Sequence, residues 1–236
     1  MFGEKGVPHR ILAGLILIVT APLLFVGVPV RIAFSEWFVE WEYSRADFPP
    51  DTYGLEDDYR KRLALLGLRA VLSEEGMEEF RKAVLPDGRR AFREKEIRHM
   101  EDVKKVLDVF FPLLYALLFL HLFLHLLLRD RIFTGWVLLL SSLFSLSLVA
   151  GAGAFALIDY DLAFEVFHNL FFEPDSWRFR YTDTLLRIYP MKFWFDGTVF
   201  VIGTASLLCA TSLVAGLILI YRRSSSDRIL SGRDRR

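Results

Sequence analysis

Cysteine occurs once in the 236 residues, as Cys209, so no intrachain disulfide can staple a loop and no Cys-x-x-Cys pair exists. Neither sign of charge is in excess: Lys+Arg and Asp+Glu stand at 29 each, which gives no basic field for nucleic acid and no acidic one for cationic partners. Gly-x-Ser-x-Gly, a Walker loop and His-Glu-x-x-His are absent as well. Serine hydrolase, nucleotide-binding and zincin chemistry therefore have no support in the sequence. Cys209 is a poor nucleophile candidate, because it lies deep in an apolar run and nothing places a histidine beside it.

Charge is scarcest in four stretches, Ile11–Val30, Val106–Leu128, Ile132–Ile158 and Gly197–Tyr221. Each supplies the ~20 apolar residues that cross ~30 Å of hydrocarbon, and the rest of the chain is too small to bury helices this apolar. The expected fold is an all-α membrane protein. It is a four-transmembrane-helix bundle forming one integral membrane domain over residues 1–236, with two extracytoplasmic loop or helical regions forming a cap. Lys5 and Arg10 precede the first span, Arg129 and Arg131 make up most of the 129–131 loop, and Arg222, Arg223, Arg228, Arg233, Arg235 and Arg236 follow the fourth. The positive-inside rule makes these regions cytoplasmic and turns 31–105 and 159–196 outward. The first span is too long for a signal-peptide core of ~7–15 residues and no small-x-small site follows it, so it reads as a retained anchor.

The first outer region opens with Phe34, Trp37, Phe38, Trp41 and Tyr43, a belt suited to lipid headgroups. Consecutive prolines in Asp47–Gly54 forbid a helix there. Helical patterns follow over Leu55–Leu72 and Glu78–Val84, then a turn at Leu85-Pro-Asp-Gly88. From about Arg93 the chain runs without Gly or Pro toward the second span, predicting one helix with a charged, solvated leading part. Glu96, His99, Asp102 and Val103 share a face of it. A carboxylate one turn either side of His99 can orient the imidazole or raise its pKa. A surface histidine in a salt-bridged helix would show the same pattern. The second outer region is far more aromatic than a connection should be, with Phe164, Phe167, Phe171, Phe172, Trp177 and Phe179 around His168. It must pack on lipid or on span ends, and His168 reads equally as a structural hydrogen-bonder or a base at a lipid-facing site. His121 and His125 stand four apart, a spacing that suits metal or haem. Along one helix, however, His121 is about 33 Å from His99, so the expectation for both is packing or hydrogen bonding inside the membrane.

The motifs Phe48-Pro, Tyr53-Gly-Leu, Leu85-Pro-Asp-Gly88, Glu96-Ile-Arg-His99-Met-Glu-Asp102-Val, Phe167-His168-x-Leu-Phe-Phe, Ser176-Trp177-x-Phe179, Asp183-Thr-Leu and Pro190-x-x-Phe193 together resemble the bacterial lipoprotein intramolecular transacylase family. The resemblance covers nearly the whole chain. It implies a multi-pass protein of the bacterial cytoplasmic membrane, both termini cytoplasmic, acting at the outer face on a diacylglyceryl lipoprotein. Such an enzyme moves the sn-2 acyl chain of the lipidated cysteine to the α-amino group of that cysteine, leaving the lyso form. The family's two essential histidines correspond to His99 and His168. His168 is expected as base and His99 as proton donor or oxyanion stabiliser, or the reverse, with Glu96 or Asp102 orienting His99 and with Trp177 and Asp183 in support. The implied partners are the lipoprotein substrate and membrane lipid, with no nucleic acid, no cofactor and no metal. An intramolecular transfer needs no acyl-enzyme, which fits the missing serine or cysteine nucleophile.

Two other classes compete. A non-enzymatic binder of lipid or lipoprotein would keep the fold without the chemistry, and the presence of both histidines argues against it. A transporter would carry charged residues or broken helices at mid-membrane, whereas Asp108, near one end of the second span, is almost the only charge in the spans.

Overall fold

A computed structural model describes the backbone of Val7–Arg233 and the side chains of His9–Tyr221. Of the residues used above to orient the chain, Lys5, Arg235, Arg236 and the side chains of Arg222, Arg223, Arg228 and Arg233 lie outside that description. The described residues form nine helices and no strand: α1 (Val7–Ala33), α2 (Glu36–Ser44), α3 (Asp57–Leu72), α4 (Glu74–Lys82), α5 (Glu94–Leu128), α6 (Arg131–Ile158), α7 (Tyr160–Phe171), α8 (Thr184–Ile188) and α9 (Met191–Arg233). Four of them, α1, α5, α6 and α9, are long and apolar enough to cross a membrane. Their outer faces leave Phe119, Leu157 and Leu207 largely uncovered, as expected when lipid is the solvent. The charged leading part of α5 is continuous with its apolar part, as the sequence predicts. Residues 159–196 contain a helix, α7, started by the Asp159 side chain accepting the Leu162 amide at 2.9 Å.

The chain divides into two compact units. The first comprises residues up to Pro29, Leu113–Gly153 and the chain from Ile202 onward. Its helices touch backbone to backbone where α6 meets α9. A Cβ on Gly216 would lie 2.7 Å from the Gly135 carbonyl, and one on Gly135 would lie 2.8 Å from Ile220. Without a hydrophobic drive between spans, such small-residue contacts supply the packing. His121 and His125 are tied down here. The Thr20 hydroxyl donates to the Ile16 carbonyl at 2.7 Å, so its lone pair takes the His121 Nε2–H at 2.8 Å, while His125 Nδ1 lies 3.3 Å from Thr134 Oγ1. No group of three or more metal-ligating side chains occurs among the described residues.

The second unit comprises Val30–Pro112 and Ala154–Val201. Here the belt of α2 is only partly an anchor: Trp37 is exposed, but Phe38 is buried against Phe193 and Phe200 at ring separations of 5.5 and 5.3 Å. The helical hairpin α3–α4 turns where Ser73 caps α4 by accepting the Gly76 amide. Gly76 is required there, since a Cβ would meet the Arg69 backbone at 2.4 Å. A second fastening joins the proline-rich turn to α8. Arg187 makes a bidentate pair with Asp51, both bonds 2.9 Å, and Asp51 also accepts the Tyr53 and Leu55 amides. Arg60 is buried, donates to the carbonyls of Pro49 and Arg187, and lies over the rings of Tyr43 and Phe48.

Glu42 is fully buried on α2 and no donor reaches either of its oxygens. Burial first, and the neighbouring carboxylate Asp196 second, push its pKa up to about 7, although Arg45 and Lys192 pull the other way. The folded chain thus holds a proton that the unfolded chain releases near pH 4.5. This contribution to stability is full below that pH and disappears as pH rises toward 7. Glu42→Gln is expected to leave the melting temperature unchanged at pH 4.5 and to raise it at pH 8, where the gain in stability is on the order of 2 kcal/mol. Equal melting curves for the two proteins at pH 8 would show that Glu42 ionises there at no cost.

Candidate functional site

The site grows from the start of α5. Glu96, at the third position of that helix, reaches back to the Arg93 amide at 2.7 Å, satisfying one of the donors that every helix start leaves open. Its second oxygen accepts the Leu185 amide at 2.6 Å, in the first turn of α8. One buried carboxylate therefore serves two helix starts. Burial pushes the pKa of Glu96 up, while the two amides pull it back. Asp183, just before α8, completes the joint. It accepts the Arg180 amide at 2.9 Å and pairs with Arg93 at 3.0 Å.

This joint fixes the helical turn that carries His99. Its ring centroid lies 6.1 Å from that of His168 on α7, with the ring planes 26° apart. Both histidines are more than nine-tenths covered. The walls are aromatic: Phe172 and Phe179 stand edge-on to His99 at 5.0 and 5.4 Å, and Phe164 and Trp177 cover His168 at 4.0 and 4.7 Å. His168 Nδ1 lies 2.8 Å from the Phe164 carbonyl. A carbonyl only accepts, so the hydrogen is on Nδ1 and the Nε2 lone pair is left for other work. Trp177 is itself held by its indole N–H, which donates to Asn169 Oδ1 at 3.1 Å. Lys95 donates to the Arg178 carbonyl at 2.6 Å and lies over Phe179, fastening the 172–183 segment to α5.

The structure brings His99, His168, Glu96, Trp177 and Asp183 together, but it corrects the expected part of the carboxylates. Neither Glu96 nor Asp102 hydrogen-bonds His99. Glu96 is occupied by its two amides, Asp102 turns to Lys105 at 2.8 Å, and His99 Nδ1 is buried without a partner. The pKa of His99 is therefore not raised. Burial, with His168 second, brings it down to about 4, and Asp102 opposes this without reversing it. Burial lowers His168 too, partly offset by its bond to Phe164. Both rings are neutral at neutral pH. Sequence reasoning gave no role to Asn169 or Lys95. The single signal available was Phe164, which stands four residues before His168 and hence beside it on a helix.

Fold and site together define a helical membrane protein in which two imidazoles from separate helices meet among aromatic rings. The family model for "Lipoprotein intramolecular transacylase Lit" matches residues 14–194, and the chain belongs to that family. An uncharacterized protein of Aquifex aeolicus (strain VF5) is 46% identical over 224 residues, covering 95% of this chain and 99% of that one. Among solved structures, the lipoprotein intramolecular transacylase Lit of Bacillus cereus aligns with a TM-score of 0.68 at 15% identity, over 92% of this chain and 98% of that one. A variant of the same protein with one histidine changed to alanine aligns at 0.63 and 15%, over 93% and 97%. At such identity these structures share the fold.

Proposed function

We propose that the chain transfers the sn-2 acyl group of a diacylglyceryl-cysteine lipoprotein to the α-amino group of the same cysteine, with His99 and His168 as the reacting pair on the outer face of the bacterial cytoplasmic membrane. The observation that carries this reading is the pairing of two neutral imidazoles from separate helices, one with its Nε2 lone pair uncommitted. His168 Nε2 removes the proton from the amine nitrogen as it attacks the ester carbonyl. His99 supports the oxyanion. Its unpartnered Nδ1 is best left as a lone pair, because a buried N–H without an acceptor is the rarer defect, and this places the ring hydrogen on Nε2 as a donor. The C–O bond to the glycerol then breaks and the C–N amide bond forms. His168 returns its proton to the departing glycerol oxygen. No protein–acyl bond enters the sequence, and both reacting groups belong to one molecule, so proximity lowers the barrier.

The transfer is an isomerisation, which fixes the test. Purified protein reconstituted with a diacylglyceryl lipoprotein is expected to leave the intact mass unchanged while tandem mass spectrometry relocates one acyl chain from glycerol to the cysteine nitrogen. Loss of one acyl chain's mass would mean hydrolysis. No change at all, with the protein folded, would favour the non-enzymatic binder.

A further inference from the structure

Between α1 and α6, inside the first unit, a groove of about 320 Å³ is lined by Gly14, Leu15, Phe133, Trp136 and Leu140, with Arg10 at one end. Apart from that guanidinium its walls are apolar. Gly14 lets the Phe133 ring on α6 close against α1 at the floor of the groove; a Cβ there would press on Phe133 at 3.3 Å. Leu15, Trp136 and Leu140 along it are all exposed. The lining on α1 extends from Arg10 to Ile18, about 12 Å of helix. That is most of the ~15 Å that one leaflet contributes to the hydrocarbon.

The charged end is built as well. Arg10 donates to Asp130 at 2.8 Å, and Asp130 also caps α6 by accepting the amides of Ile132 and Phe133. Among the described residues, Asp130 is the carboxylate that meets Arg10, and its chain neighbours on both sides are arginines, Arg129 and Arg131, so this end of the groove carries more positive than negative charge. Trp136 lies one helical turn further in, where an amphipathic ring marks the membrane boundary.

We infer that this groove is a binding site for one anionic phospholipid, its acyl chain along Gly14 and Leu15 and its phosphate at Arg10 and Arg131. Charge complementarity selects the occupant: a zwitterionic lipid brings no net charge to the arginine cluster, whereas each arginine near a membrane surface favours an anionic lipid roughly fivefold. The bound lipid would bridge α1 to α6 beside the Arg10–Asp130 pair, and it has no part in the acyl transfer.

The test uses the full-length protein in detergent micelles, titrated separately with phosphatidylglycerol and phosphatidylcholine and read by native mass spectrometry. The expected result is one retained phosphatidylglycerol per chain, held at least tenfold more tightly than phosphatidylcholine and not displaced by soluble glycerol phosphate. The double variant Arg10→Gln, Arg131→Gln is expected to bind both lipids within about twofold of each other. Leu15→Trp, which fills the groove from its exposed side and leaves the arginines in place, is expected to lose retention of either lipid. Equal retention of the two lipids by the unaltered protein, displacement by glycerol phosphate, or unchanged selectivity in the double variant would overturn the site.

Discussion

Membranes carrying His168→Ala are expected to convert diacylglyceryl lipoprotein ~10²–10⁴-fold more slowly than the unaltered protein, at the same abundance, because the step loses its general base. His99→Ala is expected to fall in the same range through the loss of oxyanion support. Groups that act in one proton-transfer event do not add. The double variant should therefore be little worse than the poorer single one. His121→Ala is the control, since that ring belongs to the other unit and is engaged with Thr20; it should alter abundance before turnover. The pH dependence has a definite sign. His168 must be neutral to accept a proton, and burial lowers its pKa, so the acid limb that it governs should lie below the ordinary histidine value of ~6.5. A second limb near ~8 belongs to the substrate's own amino group. Full conversion by the double variant would remove both histidines from the mechanism, and a lower limb at or above 6.5 would contradict a buried base.

Glu96→Gln is expected to cost about 2–4 kcal/mol of stability and at least tenfold in turnover, although the side chain keeps its size. The carboxylate accepts from the amides of Arg93 and Leu185 with separate oxygens. Glutamine offers one oxygen and turns its own N–H₂ on the second amide, leaving a buried donor facing a donor. Both α8 and the first turn of α5 would shift, and His99 stands on the next turn of that helix. Glu96→Asp retains the charge but is too short to reach both amides, so it should fall between the two. Thermal melting and lipoprotein conversion measured on the same preparations check this. Unchanged behaviour of Glu96→Gln would mean that one of the two amides does not depend on Glu96 as its acceptor.

The spans were legible because a run of apolar residues has one physical meaning wherever it occurs, and the unbroken approach to α5 was legible because Gly and Pro are absent from it. The meeting of His99 with His168 could be reached only through resemblance, since local periodicity says nothing about contacts between distant segments. The misreading of Glu96 has the same origin. Spacing along α5 places it beside His99, but its second partner is a backbone amide on α8, and backbone amides carry no sequence signal. Helix α7 lay hidden in a segment whose aromatic richness drowned the helical period. Nothing local in the sequence marks Glu42; its burial beside Asp196 comes from packing against α9.

The aromatic walls around the two imidazoles also bear on which nucleophile wins. An ester held beside a free base is open to water as well as to an amine, and water outnumbers any tethered group in a wet cleft. Phe164, Phe172, Trp177 and Phe179 present ring faces and edges to the histidines, and such surfaces give a water molecule few of the two to four polar partners it needs to stay. The competitor is thereby starved of a place to stand. Under the proposed transfer, the partition between amine and water would lie in the rings rather than the histidines: replacing Phe179 by a hydrogen-bonding residue such as asparagine would admit solvent and turn a rearrangement of lipid into its loss.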